Sequence, residues 1–221
     1  MSAGLLLVGA SGLAREVLAT GIDGVAGILD DDTALHGAEV GGVPVIGDIA
    51  TAAVRDERLL ICVGSGSGRR SIAGRLATLG VTRARYGCYL APSARLGAGS
   101  SVGAGSIVLD GVVITANVSV GAHTVVMPNC TITHDDVLAD FTTLAAGVAL
   151  GGSVHVGEAA YIGMNASVRQ GVSVGAGATV GMGAVVLRNV PEADTWAGVP
   201  ARSVNDHRRA EPSERVLGEH A

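Results

Sequence analysis

From Leu90 onward the sequence repeats with a period of six residues. Stepping by six from Leu90 to Val186 gives seventeen positions, and every one is leucine, isoleucine or valine. The next residue is glycine in eight of the seventeen hexads, which suits a corner where a side chain would crowd the turn. This period predicts a parallel β-helix, in which short strands stack about 4.8 Å apart and three hexads form one coil.

One hexad departs from the pattern, in the segment ITHDDV at 132–137. The fifth position of each hexad should point inward, and it is small or β-branched in sixteen of the seventeen hexads. The exception is Asp136, which follows His134 and Asp135 directly. A buried carboxylate gives up the contribution of an aliphatic side chain and adds a desolvation cost, so Asp136 requires a partner or water.

The chain before the hexads has a different pattern, in which strands and helices alternate. Apolar segments predict strands at 5–9, 25–30 and 58–64, and helices are predicted at 13–20 and 69–79. This alternation favours a small α/β domain with a parallel sheet. The segment GASG at 9–12 joins a strand to a helix, where backbone N–H groups can approach a phosphate, although a plain tight turn explains it equally well.

Composition excludes several classes of function. The 221 residues carry a net charge of −5 with no basic stripe, so we expect no nucleic-acid partner. Three cysteines without a CxxC pair indicate reduced thiols rather than a zinc or redox site. The N-terminus has no basic region, and its apolar run stops after five residues, which predicts neither a signal peptide nor a membrane span. We therefore expect a cytoplasmic protein without a bound metal.

The order of these parts, together with THDD and the segment AGVPAR at 197–202, resembles the bacterial sugar acetyltransferases. The most similar group is the NeuD/PglD-like family of sialic-acid O-acetyltransferases and UDP-amino-sugar N-acetyltransferases, over about residues 4–204. The resemblance implies a Rossmann-like acceptor-binding domain at 1–89, a left-handed β-helix acetyltransferase domain at 90–204 and a polar tail at 205–221. It also implies a homotrimer that binds acetyl-CoA between neighbouring subunits.

The resemblance assigns roles to individual residues. His134 falls on the family's catalytic base, which takes a proton from the attacking amine or hydroxyl, and Asp135 on the acid that makes the base stronger. Asp136 remains open as a structural residue or as the orienting carboxylate itself. The acetyl-CoA contacts of the family fall on Thr143, Gly152, Met164, Gly181, Met182 and Arg202. Its nucleotide-sugar contacts fall on Ser11, Gly12, Asp30, Asp31 and Gly64.

Three departures from the family pattern all concern the acceptor. Leu13 stands where the family usually has histidine, Ser65 where it has asparagine or aspartate, and Met127 where it has asparagine. We therefore expect the acceptor to be a small sugar, which a nucleotide-linked sugar would satisfy. The acetylated atom is either a nitrogen or an oxygen of that sugar.

Two other functions are compatible with a β-helix. A zinc carbonic anhydrase needs three histidines, two of them close in sequence, whereas His123, His134 and His155 are 11 and 21 residues apart. A non-catalytic trimeric scaffold would not need the THDD element. The sequence therefore favours an acetyl-CoA-dependent sugar acetyltransferase with His134 as general base.

Overall fold

The structure is a computed structural model and describes residues 4–205. Its N-terminal part is a five-stranded sheet with two α-helices. The strands are β1 Leu5–Val8, β2 Val25–Leu29, β3 Glu39–Val40, β4 Val43–Gly47 and β5 Arg58–Ile61, and the helices are α1 Gly12–Ala19 and α2 Gly66–Thr78. The strand order is β3-β4-β2-β1-β5, and all neighbours are parallel except the β3–β4 pair. The carboxyl ends of β2, β1 and β5 therefore meet at one edge.

The predicted strands and helices of this part all form, with shifted ends. Each predicted strand ends one to three residues early, and α2 begins at Gly66 rather than at residue 69. The helix starts sooner because the Ser65 hydroxyl accepts a hydrogen bond from Gly68 N–H and caps the free amides of the first turn. The β3–β4 pair was not predicted, because its strands are short and interrupted by glycine and proline.

The remaining chain forms nineteen short strands. They are β6 Tyr89–Leu90, β7 Arg95–Leu96, β8 Ser101–Val102, β9 Ile107–Val108, β10 Val113–Ile114, β11 Ser119–Val120, β12 Val125–Val126, β13 Thr131–Ile132, β14 Val137–Leu138, β15 Thr143–Leu144, β16 Ala149–Leu150, β17 His155–Val156, β18 Tyr161–Ile162, β19 Ser167–Val168, β20 Ser173–Val174, β21 Thr179–Val180, β22 Val185–Val186, β23 Thr195–Ala197 and β24 Arg202–Ser203.

These strands form three stacks, and from β6 to β22 each strand pairs in parallel with the strand three further along the chain. Thr131, for example, pairs with Val113 below and with Ala149 above, eighteen residues away on each side. Three hexads per coil are thus confirmed, and the repeat fits a left-handed β-helix. The aliphatic first positions fill the interior of the coils as one continuous core.

The N-terminal sheet packs against the stack that contains β9 and β12. Outward-facing residues of a β-helix are normally polar, but Ile107 and Val125 point outward here and are 0% exposed. They pack in one cluster with residues of the N-terminal sheet and of α1, such as Leu7 and Leu13. The apolar residues at outward positions of this stack, Ile107 and Val125, therefore lie at the contact between the β-helix and the N-terminal sheet. Within residues 4–205, no helix is both long and apolar enough to span a bilayer.

Candidate active site

His134 and Asp135 form a hydrogen-bonded pair at an exposed corner of the β-helix, just after β13. Nδ1 of His134 lies 2.8 Å from Oδ2 of Asp135, and more than half of each side chain is exposed. Asn117, one coil below, donates to the other oxygen of Asp135 at 3.4 Å. These contacts, first that with His134 and then that with Asn117, lower the pKa of Asp135. With Nδ1–H donated to the carboxylate, Nε2 keeps a free lone pair, as a general base requires.

Asp136 has a different environment and does not contact His134 in this way. Its side chain is 0% exposed, and its two oxygens accept backbone N–H groups from Thr133 at 2.8 Å and from Val154, in the next coil, at 2.7 Å. Burial raises its pKa to about 6, against the opposing effect of the two amide donors. The carboxylate therefore joins two consecutive coils, and the compensating partners that the sequence required are backbone amides.

A cavity of about 560 Å³ lies between α1 and the β-helix. Four predicted site residues line it, two from each predicted ligand set: Gly12, Gly64, Thr143 and Met164. The wall is mainly apolar and includes Leu13, Leu109, Val125, Met127 and Ala145. Glu16 and Asp110 supply the carboxylates of the lining. The cavity can hold a sugar-sized group next to the hexapeptide coils.

The other predicted acceptor residues lie at the carboxyl edge of the parallel strands, where α/β sheets commonly bind ligands. The Ser11 hydroxyl caps α1 by accepting from Leu13 N–H, and it donates to the carbonyl of Cys62. Asp30 accepts the Ala10 N–H at 2.7 Å. Asp31 pairs with Arg75 at 2.8 Å, and this hydrogen bond lowers its pKa. Contacts within the protein thus orient the Ser11, Asp30 and Asp31 side chains at this edge.

The sequence and the structure of the chain are similar to those of known transferases. The family model for bacterial transferase hexapeptide (six repeats) matches residues 153–188. No curated protein sequence matches the chain significantly. Among solved structures, GDP-perosamine N-acetyltransferase from Caulobacter crescentus, in complex with CoA and GDP-perosamine, is 30% identical with a TM-score of 0.81, over 90% of this chain and 96% of that one.

Two further structures agree. The acetyltransferase domain of PglB from Neisseria gonorrhoeae, in complex with acetyl coenzyme A, is 30% identical with a TM-score of 0.80, over 92% of this chain and all of that one. WeeI from Acinetobacter baumannii is 24% identical with a TM-score of 0.74, over 92% of this chain and all of that one, and shares the fold. The chain belongs to the NeuD/PglD-like family of bacterial sugar acetyltransferases. The resemblance seen in the sequence is confirmed, and this family member is an acyltransferase.

The residues predicted to bind acetyl-CoA lie on different corners of this NeuD/PglD-like chain. Gly152 lies one coil above His134, against the imidazole. Met164 and Met182 lie on the cavity's corner, one coil apart, and are 51% and 80% exposed. Gly181 immediately precedes Met182, and Arg202 lies in β24, where its guanidinium donates to the Ala201 carbonyl. The cavity corner comes between β12 and β13, whereas His134 comes between β13 and β14.

The Thr143 side chain makes its hydrogen bonds within the protein. It is 4% exposed, and its hydroxyl donates to the Gly64 carbonyl at 3.1 Å and accepts from Arg69 at 3.0 Å. The Arg69 contact was not predictable from the sequence, because the neighbouring Arg70 has the same local surroundings. Glu16 and Asp110 were also missed, since exposed acidic residues are common on any surface. Within residues 4–205, no three His, Cys, Asp or Glu side chains converge to hold a metal ion.

Proposed function

We propose that this acyltransferase N-acetylates a nucleotide-linked amino sugar, with acetyl-CoA as co-substrate and His134 as general base. The observation that carries the proposal is the His134–Asp135 pair, which leaves Nε2 free on an exposed corner of the hexapeptide β-helix. The C. crescentus relative binds CoA and GDP-perosamine, and the N. gonorrhoeae domain binds acetyl-CoA.

In the proposed reaction the acceptor amine attacks the thioester carbonyl of acetyl-CoA. Nε2 of His134 removes a proton from the attacking nitrogen, and Asp135 stabilises the imidazolium that forms. A C–N bond forms, the C–S bond breaks, and the imidazolium returns the proton to the departing CoA sulfur. The base is thereby restored for the next turnover.

The two parts of the chain bind different substrates in this proposal. Residues 1–89 form a Rossmann-like acceptor domain that binds the nucleotide at the carboxyl edge of its sheet, through Ser11, Gly12, Asp30, Asp31 and Gly64. Residues 90–204 form the acetyltransferase domain. Acetyl-CoA lies along Met164, Gly181, Met182 and Arg202, whereas Thr143 and Gly152 make contacts within the chain, with Gly64 and Arg69 and with His134 respectively.

The cavity lining supports nitrogen over oxygen as the acceptor atom. Glu16 and Asp110 place carboxylates beside the cavity, and such groups attract the ammonium form of an amino sugar. Leu13 and Met127 present no hydrogen-bonding partner to a sugar hydroxyl, which would be costly to bury there. The sugar in this cavity is therefore a deoxy amino sugar, with its deoxygenated carbon on the apolar wall.

The active site is shared between subunits of a homotrimer. His134 and the cavity lie on different corners of one chain, so a neighbouring chain is needed to bring a His134 to the acceptor. The exposed methionines at 164 and 182 offer apolar surface beside the cavity for such a neighbour.

The test is His134→Ala, assayed with acetyl-CoA and a panel of UDP-, GDP- and dTDP-linked amino sugars. We expect turnover to fall by about 10²–10⁴-fold, with the affinity for acetyl-CoA and the melting temperature nearly unchanged, because the side chain is exposed. The C. crescentus enzyme holds CoA and GDP-perosamine in a structure of a variant that lacks one histidine. Near-normal turnover by His134→Ala with any accepted sugar would refute the proposal.

A further inference from the structure

Gly152 lies directly against the imidazole of His134, one coil further along the β-helix. A Cβ atom at Gly152 would overlap Nε2 and Cε1 of the ring and lie 3.0 Å from Cδ2. Gly152 is buried, although it sits on the same corner as the exposed His134. The ring therefore occupies the space that any other residue at this position would fill.

The β-helix itself does not need glycine there. Gly152 is the third residue of its hexad, and it is the only glycine among the seventeen third positions from Pro92 to Arg188. Six of the other third positions are alanine: Ala98, Ala104, Ala116, Ala122, Ala146 and Ala176. The φ angle of Gly152 also lies outside the left-handed region, so its backbone suits any residue.

Hydrogen bonds between consecutive coils set the position of Gly152 along the β-helix axis relative to His134. The Ser153 N–H donates to the His134 carbonyl at 2.9 Å, and the Thr133 hydroxyl donates to the Leu150 carbonyl at 3.0 Å. The Asp136 carboxylate accepts the Val154 N–H. The coil around Gly152 is thus held on both sides of the catalytic pair, so a side chain at 152 would displace the exposed His134 ring rather than the coil.

We infer that Gly152 is a positioning residue for His134: its missing side chain forms the slot that holds the imidazole with Nδ1 on Asp135 and Nε2 toward the substrates. This inference rests on the proposed role of His134 as base. A methyl group at 152 would push the ring outward and turn Nε2 away from the attacking amine. The hydrogen bond from Nδ1 to Asp135 would be lost with it.

The kinetic test is Gly152→Ala in the full-length protein. We expect kcat to fall by about 10–10²-fold, the usual cost of a base displaced by about 1 Å, while KM for acetyl-CoA stays within about threefold. A rise of KM beyond about tenfold with kcat unchanged would show that Gly152 serves acetyl-CoA instead, and would overturn the inference.

Two readouts do not depend on activity. The His134 ring signals in the NMR spectrum, assigned by their loss in His134→Ala, should shift in Gly152→Ala; unchanged signals would contradict the inference. Gly152→Ala should lower the melting temperature in the wild-type background and leave it unchanged in the His134→Ala background, where the overlap is gone. Equal melting-temperature changes in both backgrounds would likewise overturn the inference. If His134→Ala were fully active, the proposed function would fail, whereas these two readouts would still report on the slot.

Discussion

Three neighbouring ionisable side chains, His134, Asp135 and Asp136, differ in what surrounds them. The first two face solvent and bond to each other, whereas both oxygens of the third are used by backbone amides inside the helix. The family resemblance assigned Asp135 as the acid beside His134, and the sequence left Asp136 open as the alternative. Both aspartates are close to His134 in the sequence, and the structure separates them by the direction of each side chain: Asp135 faces solvent and Asp136 faces the interior of the β-helix.

Replacing Asp136 with asparagine should destabilise the protein without disabling the chemistry. An asparagine amide has one oxygen, so its NH₂ group would face the N–H of either Thr133 or Val154. Two hydrogen-bond donors would then face each other, and that backbone N–H would lose its acceptor. A buried N–H left without an acceptor costs about 1–3 kcal/mol. We expect Asp136→Asn to lower the free energy of unfolding by that amount in a urea titration, with kcat within about threefold of wild type.

The exposed neighbour is the matched control. Asp135→Asn keeps the shape but removes the charge that stabilises the imidazolium, so turnover should fall while the urea midpoint stays unchanged. If Asp136→Asn reduced turnover more than Asp135→Asn did, the buried aspartate would be the orienting carboxylate. The proposed roles of the two residues would then be reversed.

At the scale of elements, the hexads were sufficient to predict the β-helix, because one inward aliphatic every six residues fixes both the corners and the pairing of coils. The junction with the N-terminal sheet was not predictable in the same way. Ile107 and Val125 are ordinary β-helix residues until a second sheet covers them. The cavity likewise unites Gly12 with Thr143, which are far apart in the chain, through packing that no local pattern encodes.

Arg69 of α2 ties the N-terminal sheet to the β-helix. It is 0% exposed, and its guanidinium donates to carbonyls on both sides, including Gly64 after β5 and His123 and Thr142 in the coils. A carbonyl left buried without a donor costs about 1–3 kcal/mol, so Arg69→Met should lower the free energy of unfolding by about 3 kcal/mol or more. Urea titration measures this directly.

The adjacent arginine provides the control. Arg70 forms an exposed ion pair with Glu158 at 3.1 Å, and such pairs contribute about 0.2–1 kcal/mol. Arg70→Met should therefore change stability far less than Arg69→Met. Equal losses in the two variants would show that Arg69 does not hold the junction.

His123 makes this junction sensitive to acid. Its ring is buried between Tyr86 and Phe141, and its Nδ1 has no hydrogen-bond partner among the residues that the structure describes. Burial, then the charge of Arg69, lowers its pKa to about 4, with Arg83 acting in the same direction and Asp140 against it.

A folded-state pKa below the unfolded value of about 6.5 means that stability is complete above that pH and is lost as the pH falls toward 4. We expect the wild-type melting temperature to fall by several degrees more between about pH 7 and pH 4 than that of His123→Phe. Phe141 occupies the same hexad position one coil above with the same left-handed backbone, so phenylalanine fits there. A decline in His123→Phe that parallels the wild-type decline would contradict the prediction.

For the whole molecule, the proposed function requires an assembly in which each site takes its base from one subunit and its acceptor cavity from another, because His134 and the cavity lie on different corners of one chain. Two inactive variants should then rescue each other. Ala146→Arg fills the cavity with a long side chain and leaves His134 intact, whereas His134→Ala removes the base and leaves the cavity intact. Each alone should have at most about one hundredth of wild-type turnover.

Co-expression of the two variants with different tags, and purification through both tags, gives mixed trimers. A site is active only when its base comes from the Ala146→Arg subunit and its cavity from the His134→Ala subunit. Every trimer that carries both tags has one such site among its three, so activity should recover to about one third of wild type. A mixture of wild-type and His134→Ala subunits should retain about half, because only the base is then limiting. If the site lay within one subunit, every mixed trimer would contain only defective sites, and activity would not exceed that of the parent variants. Sedimentation of the purified mixture should show a trimer; a stable monomer at micromolar concentration would exclude the shared site.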